Sequence, residues 1–318
     1  MAKIYVTREI PDEGIALLKK AGHAVRIYRK DKPIPRKELL RNVKGVDAIL
    51  SLLTDRMDAE VVKAAGPQLK IVANYAVGYD NIDVDALKEA GVKVANTPGV
   101  LNGAVSEHAF ALLIAAAKRI PESDAFVRSG KYVGWKPMLL LGAELSGKTL
   151  GVVGTGRIGH GVAKRAAAMD MKIVYHDVKR NAELEKSFGA KKLTLDRLLK
   201  NSDFISLHVP LLPSTWHLIG AKQLKSMKKT AMLVNTSRGP VVDEKALVKA
   251  LRNGTIAGAG LDVFEEEPKL APGLAKLKNV VLTPHTASAT VETRQAMSRL
   301  AAQAIIDVLK GKEPKNLV

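Results

Sequence analysis

Short apolar runs alternate along the chain with longer stretches whose apolar positions recur at helical spacing. In the first third, residues 4–7, 24–28, 48–52, 70–73 and 93–95 have the length and branching of strands, and 13–21 and 59–65 the spacing of helices. Strands separated by helical segments imply right-handed crossovers, and therefore a parallel sheet. A long apolar helix is expected over 102–120, with Pro121 just beyond it. A second series follows, with strands over 149–153, 172–176, 203–207, 231–235, 259–263 and 280–282 and a last helix over 291–309. Two such series predict an α/β protein with two doubly wound parallel sheets. No internal repeat or low-complexity linker interrupts them.

Composition narrows the class. The chain has 318 residues, enough for two domains, and 47% are hydrophobic but only 4% aromatic, so Val, Ile, Leu and Ala must fill the interior. No apolar run reaches the 18 residues of a membrane span, and the first residues, MAKIYVTREI, lack a signal-peptide core. With no cysteine there is neither disulfide nor thiol nucleophile, which fits a cytoplasmic protein. The formal charge of +18 raises the question of nucleic acid. Its lysines and arginines are scattered (Lys19, Lys20, Lys191, Lys192, Lys228, Lys229) and come with no binding motif, so neither nucleic acid nor membrane is expected as a partner. A positive field would draw in a small anionic substrate and a pyrophosphate.

The chemistry concentrates in the second series. Residues 149–159 (TLGVVGTGRIG) run from a strand through a tight turn into a helix, and Gly154, Gly156 and Gly159 have the G-x-G-x-x-G spacing of a dinucleotide site. The first glycine permits the turn, the second lets the backbone approach a pyrophosphate, and the third packs helix on strand. Asp177 ends the next strand, eighteen positions after Gly159, where a ribose hydroxyl acceptor is expected. Its carboxylate favours NAD over NADP, although Lys179 and Arg180 lie nearby.

Three later segments, 234–240 (VNTSRGP), 261–268 (LDVFEEEP) and 282–290 (LTPHTASAT), each follow an apolar strand. They bring Arg238, Glu267 and His285 to strand carboxyl ends, where ligands bind in open α/β sheets. An Arg fork binds a carboxylate and polarises a neighbouring keto oxygen, a His moves the hydroxyl proton, and a Glu orients the imidazole. Glu267 is distinguished from Glu265 and Glu266 only by preceding Pro268. His108 is expected to begin a helix and His208 to be structural. His160, His176 and His217 lack metal-ligand spacing, so no metal is expected. Trp135 is open between ordinary packing, in a core or an interface, and a place in the substrate pocket.

With residues 74–83 (NYAVGYDNID), 208–211 (HVPL), 235–239 (NTSRG), 260–264 (GLDVF), Glu267-Pro268 and Pro284-His285, the chain resembles the D-isomer-specific 2-hydroxyacid dehydrogenase family over essentially its whole length. The resemblance implies Arg238, Glu267 and His285 as the catalytic trio, with a dinucleotide lined by Arg157, Ile158, Val209, Thr236 and Ser237. It implies Asp262 at the nicotinamide carboxamide, and Leu53, Ala76, Val77 and Gly78 at the substrate, whose carboxylate meets backbone amides around Val77 and Gly78. A discontinuous substrate domain (1–98 and 287–318) and a nucleotide domain (99–286) are implied, with a homodimer through the latter and the 102–120 helix at its interface. Within the family the chain looks most like glyoxylate and hydroxypyruvate reductases. Tyr75 stands where phosphoglycerate dehydrogenases usually carry Arg, and Glu267 where formate dehydrogenases carry Gln. A D-lactate-type or phosphoglycerate dehydrogenase, or an NAD-sensing corepressor or scaffold, are the alternatives.

Overall fold

The computed structural model describes all residues, 1–318. The chain forms two compact units, residues 1–101 with 289–318, and residues 102–288. The first unit runs through β1 (Lys3–Val6), α1 (Asp12–Lys20), β2 (Ala24–Ile27), α2 (Arg36–Asn42), β3 (Ala48–Ser51), α3 (Ala59–Ala65), β4 (Ile71–Asn74), α4 (Val84–Glu89) and β5 (Lys93–Ala95). The second opens with α5 (Asn102–Ala117) and α6 (Ile120–Arg128). It continues with β6 (Thr149–Val153), α7 (Arg157–Ala167), β7 (Lys172–His176), α8 (Ala182–Phe188), β8 (Lys191–Lys192), α9 (Leu195–Asn201) and β9 (Phe204–Leu207). After α10 (Ala221–Ser226), β10 (Met232–Asn235), α11 (Glu244–Arg252), β11 (Gly258–Leu261) and β12 (Val280–Leu282), helix α12 (Val291–Leu309) returns to the first unit.

Both sheets are wholly parallel, as the alternation of strand and helix requires. The first has the order β2-β1-β3-β4-β5 and the second β12-β11-β10-β9-β6-β7-β8. Each order reverses at one place, beside β1 in the first sheet and between β6 and β9 in the second, and the loops at such a reversal diverge to leave a crevice.

Helix α12 joins the first unit through a close crossing with α1. The Gly14 N–H donates to Ser298 Oγ (3.0 Å), and that hydroxyl donates to the Pro11 carbonyl (2.6 Å). A Cβ on Gly14 would stand 2.3 Å from the Ser298 carbonyl oxygen, so the crossing requires glycine there.

The long helix is shorter than its apolar run. α5 stops at Ala117, Arg119 turns the chain in the left-handed region (φ 53°), and Ile120 starts α6 with Pro121 in its first turn. Proline opens a helix here, where its missing N–H costs nothing. Apart from Glu107 and His108, α5 is almost uniformly apolar, and it packs on both the sheet and α7: Leu112 sits where a Cβ on Gly260 of β11 would come within 3.0 Å of it. No helix is long and apolar enough to cross a membrane.

Candidate active site

Parallel register sets the site. Val153 pairs with Leu207, Leu207 with Asn235, Asn235 with Leu261 and Leu261 with Leu282, so five strands of the second unit end in one row. The residues just beyond that row are Gly154, His208, Thr236, Asp262 and Thr283, and every candidate side chain of this unit except Asp177 lies on or after them.

The glycine loop follows β6 at the reversal of strand order. Gly154 has a φ of +88°, and a Cβ there would meet the His208 carbonyl at 2.7 Å and Val209 Cγ1 at 3.0 Å. A Cβ on Gly159 would meet the Gly154 carbonyl at 2.0 Å. The fold itself therefore demands these two glycines, whereas Gly156 has nothing within 4 Å of the corresponding position. Gly156 is also the N-cap of α7 and brings no side-chain cap, so the first-turn amides, those of Arg157 and Ile158 included, stay free for an anion. Thr236 adds a buried hydroxyl with no hydrogen-bond partner. An exposed cradle at Gly156, uncapped amides and an orphaned hydroxyl fit a dinucleotide.

Asp177 closes the loop from β7. Its Oδ2 accepts the Thr155 N–H (2.6 Å) and hydroxyl (2.9 Å). Burial pushes this carboxyl upward, but those bonds and the Val178 and Lys179 amides outweigh it and hold it below the usual Asp value. Arg180 is committed elsewhere, with Nε and Nη2 on Glu185 Oε2 at 2.9 and 2.6 Å.

The three chemical side chains sit at adjacent strand ends. His285 Nδ1 lies 2.8 Å from Glu267 Oε2, and the other oxygen of Glu267 accepts the Phe264 N–H at 3.1 Å. The neighbouring acids part company with it. Glu265 pairs with His217 Nε2 (2.8 Å) and accepts the Glu244 N–H (3.0 Å), while Glu266 is exposed. Geometry thus separates three residues that only Pro268 separated in the sequence. Arg238 follows an Asn235 side chain that accepts from the Ser237 N–H (3.0 Å) and hydroxyl (2.8 Å) and donates to the Arg238 carbonyl (2.9 Å). A Cβ on Gly239 would stand 1.9 Å from the Phe264 carbonyl, so this glycine lets the Arg238 loop press against the one leading to Glu267.

His285 is held in the left-handed region (φ 54°), a strained conformation for a non-glycine residue. Its N–H donates to the Asp262 carbonyl (2.8 Å). The Asp262 side chain is fully buried and accepts the Thr283 hydroxyl (2.6 Å), the Thr286 N–H (2.8 Å) and the Ala287 N–H (2.8 Å). Asp262, expected at a nicotinamide carboxamide, thus lies enclosed within the His285 loop. His108 joins this group. Expected at the start of a helix, it lies inside α5, with Nε2 3.0 Å from Thr283 Oγ1 and 3.4 Å from Asp262 Oδ1. The helical spacing of α5 gave no hint of this, because a contact from position 108 to 283 leaves no local pattern. Glu107, the neighbour of His108, pairs with Arg165 of α7 at 2.7 Å. His208, fixed to Ser206 Oγ at 2.8 Å, is driven down to about 3 by burial and stays neutral.

Leu53, Ala76, Val77 and Gly78 lie in the first unit, after β3 and β4. Trp135 is not core: it is 81% exposed in the second unit.

The family model described as D-isomer specific 2-hydroxyacid dehydrogenase, NAD binding domain, matches residues 110–287. The chain is 53% identical to a glyoxylate reductase of Thermococcus litoralis over 99% of its own length and 96% of that protein's. A crystal structure of a protein from Thermus thermophilus is 44% identical with a TM-score of 0.94, covering 99% of both chains. An NADPH-dependent glyoxylate/hydroxypyruvate reductase from Sinorhizobium meliloti, solved with NADP and malonate, is 34% identical with a TM-score of 0.86, covering 100% of this chain and 96% of that one.

The Asp262 anchor has a pH signature. Burial pushes its carboxyl upward, but the hydrogen bonds from His108, Thr283, Thr286 and Ala287 outweigh that and hold it below the ordinary 3.8. A depressed carboxyl stabilises the fold fully above its unfolded pKa and loses that contribution as pH falls through the folded one. Asp262→Asn is expected to cost about 1–3 kcal/mol at pH 7 in urea denaturation. The gap from wild type is expected to narrow only below about pH 4. An equal stability of the two proteins at pH 7 would remove the anchor.

Proposed function

Given that the chain belongs to the D-isomer specific 2-hydroxyacid dehydrogenase family and is an oxidoreductase, we propose that it reduces a small 2-oxo acid, glyoxylate or hydroxypyruvate, to the 2-hydroxy acid with NADH. The observation that carries this reading is the 2.8 Å pair of His285 and Glu267 at the strand edge that also bears Arg238 and the glycine loop. The bound nicotinamide supplies the hydride. Glu267 holds Nδ1 of His285, which leaves Nε2 to give its proton to the keto oxygen as that oxygen becomes a hydroxyl. Arg238 grips the carboxylate and draws electron density from the carbonyl carbon. The amides of Val77 and Gly78, beside Leu53 and Ala76, receive the substrate carboxylate, and residues 99–286 act as the nucleotide domain.

NAD is preferred to NADP because Asp177, held ionised by Thr155, repels a 2′-phosphate. The salt bridge to Glu185 also keeps Arg180 from offering that phosphate a counter-charge. A phosphorylated substrate is disfavoured because Tyr75, which stands where phosphoglycerate dehydrogenases usually carry Arg, is buried and its hydroxyl donates to the Arg294 carbonyl (2.6 Å). The family resemblance and the relatives' names support the smaller acids.

The protein pairs as a homodimer through the second unit. The interface expected on the 102–120 helix shifts to α6 and the segment between α6 and β6, since α5 spends its apolar face within its own unit. Tyr132, Val133, Trp135, Met138 and Leu141 are each more than half exposed, and α6 buries no residue. Apolar groups gathered this way mark a surface that a second copy covers.

Two measurements check these readings. NADH oxidation with glyoxylate, hydroxypyruvate, pyruvate and phosphohydroxypyruvate, run in parallel with NADPH, is expected to be fastest with NADH and one of the first two acids. Activity confined to pyruvate or to the phosphorylated acid would reassign the substrate, and NADH binding without turnover of any acid would favour a sensor or scaffold. Sedimentation of the triple variant Val133→Asp, Trp135→Asp, Met138→Asp is expected to give a monomer where wild type gives a dimer. An unchanged mass would move the interface elsewhere.

A further inference from the structure

The loop after β4 is held from behind at three successive peptides. The Ala76 carbonyl accepts the Thr97 N–H (2.8 Å), the Val77 carbonyl accepts Asn96 Nδ2 (2.8 Å), and the Gly78 carbonyl accepts Asn74 Nδ2 (2.9 Å). In a planar trans peptide the N–H points opposite to the carbonyl. Fixing these three oxygens therefore aims the N–H groups of Val77, Gly78 and Tyr79 away from the asparagines, and none of the three donates to a group of its own unit. Val77 and Gly78 are half-buried and Tyr79 exposed, so the loop lies within reach of a ligand.

The asparagines are themselves over-determined. Asn74 is fully buried, accepts the Ser51 hydroxyl (3.1 Å) and donates to Asn81 Oδ1 (3.1 Å). Asn81 Nδ2 reaches back to the carbonyls of Leu52 (3.2 Å) and Asp55 (3.0 Å), which bracket Leu53. Asn96 is anchored by exchanging hydrogen bonds with Asn316 near the chain's end. A buried amide network with its members satisfied is rigid, and successive aligned backbone N–H groups bind anions.

We propose that Asn74 and Asn96 are positioning residues that turn the peptides 76–79 into a three-amide cradle for the substrate carboxylate, with the Tyr79 N–H as the third donor. This rests on the reading that the protein reduces a 2-oxo acid whose carboxylate meets this loop. Neither asparagine touches the substrate; each acts through a carbonyl.

The test is steady-state kinetics of the full-length protein with NADH and the 2-oxo acid it reduces best, with oxamate as a non-reacting analogue. Asn96→Ala is expected to raise the KM for the acid and the Ki for oxamate by about 10- to 100-fold, the size of one misaligned charge-assisted hydrogen bond. The KM for NADH should stay within about twofold, because Asn96 acts only on the Val77 peptide. Should the alanine variant not fold, Asn96→Ser replaces it, with a hydroxyl too short to hold the Val77 carbonyl as tightly, and the same direction is expected. A lowered melting temperature with unchanged KM and Ki would make the asparagine merely structural and overturn the proposal, leaving the 2-oxo acid reading intact. A wild-type protein that reduces no 2-oxo acid would overturn both.

Discussion

The Asp262 carboxylate, shut away from water at the end of β11, is the group on which the strand edge bearing the candidate site hangs. A buried charge without partners is costly, so its oxygens recruit the Thr283 hydroxyl and the amides of Thr286 and Ala287. Those donors all belong to the segment that carries His285. Satisfying one buried anion thus folds a loop, sets His285 in a strained backbone conformation and leaves its Nδ1 facing Glu267. The helix α5 contributes His108 to the same group from 154 positions away in the chain (262 − 108). Stability and chemistry meet in this one network.

Around it, close backbone approaches do what side chains could not. Gly239 lets the Arg238 loop lie against Phe264, and Gly154 and Gly159 let a helix start directly over the end of β6. A methyl group at any of them would need a backbone shift, and such shifts in a packed interior cost about 1–3 kcal/mol. Gly156 differs because the protein leaves its surroundings open. Among the three loop glycines it is the one that the packing of the fold does not itself require.

Much of this was legible in the sequence. The alternation of β and helical patterns placed every strand but the two-residue β8 to within a residue or two, and motifs spread over the chain identified the family, which the full-length likeness to known relatives bears out. The features that escaped had a common physical cause. The run from Ala109 to Ala117 is apolar throughout, and the Lys118 and Arg119 that follow suit a helix as well as a turn, so the pattern carries no sign of the left-handed turn at Arg119 that ends α5. Glu265, Glu266 and Glu267 are chemically identical, and only partners 48 and 18 positions away, His217 and His285, tell the first and third apart. His108 and Thr283 support the site through contacts that leave no periodicity. Local chemistry is written in spacing; long-range support is not.

The central claim is that His285, oriented by Glu267, handles the proton while hydride moves. The most direct measurement is the single-turnover rate of oxidation of pre-bound NADH by saturating 2-oxo acid in His285→Ala, with NADH affinity measured on the same protein by fluorescence. A fall of about 10²–10⁴ in that rate, at unchanged NADH affinity, is the expected result. A rate within about threefold of wild type would contradict the proton role and, with it, the assignment of this strand edge as the reacting centre.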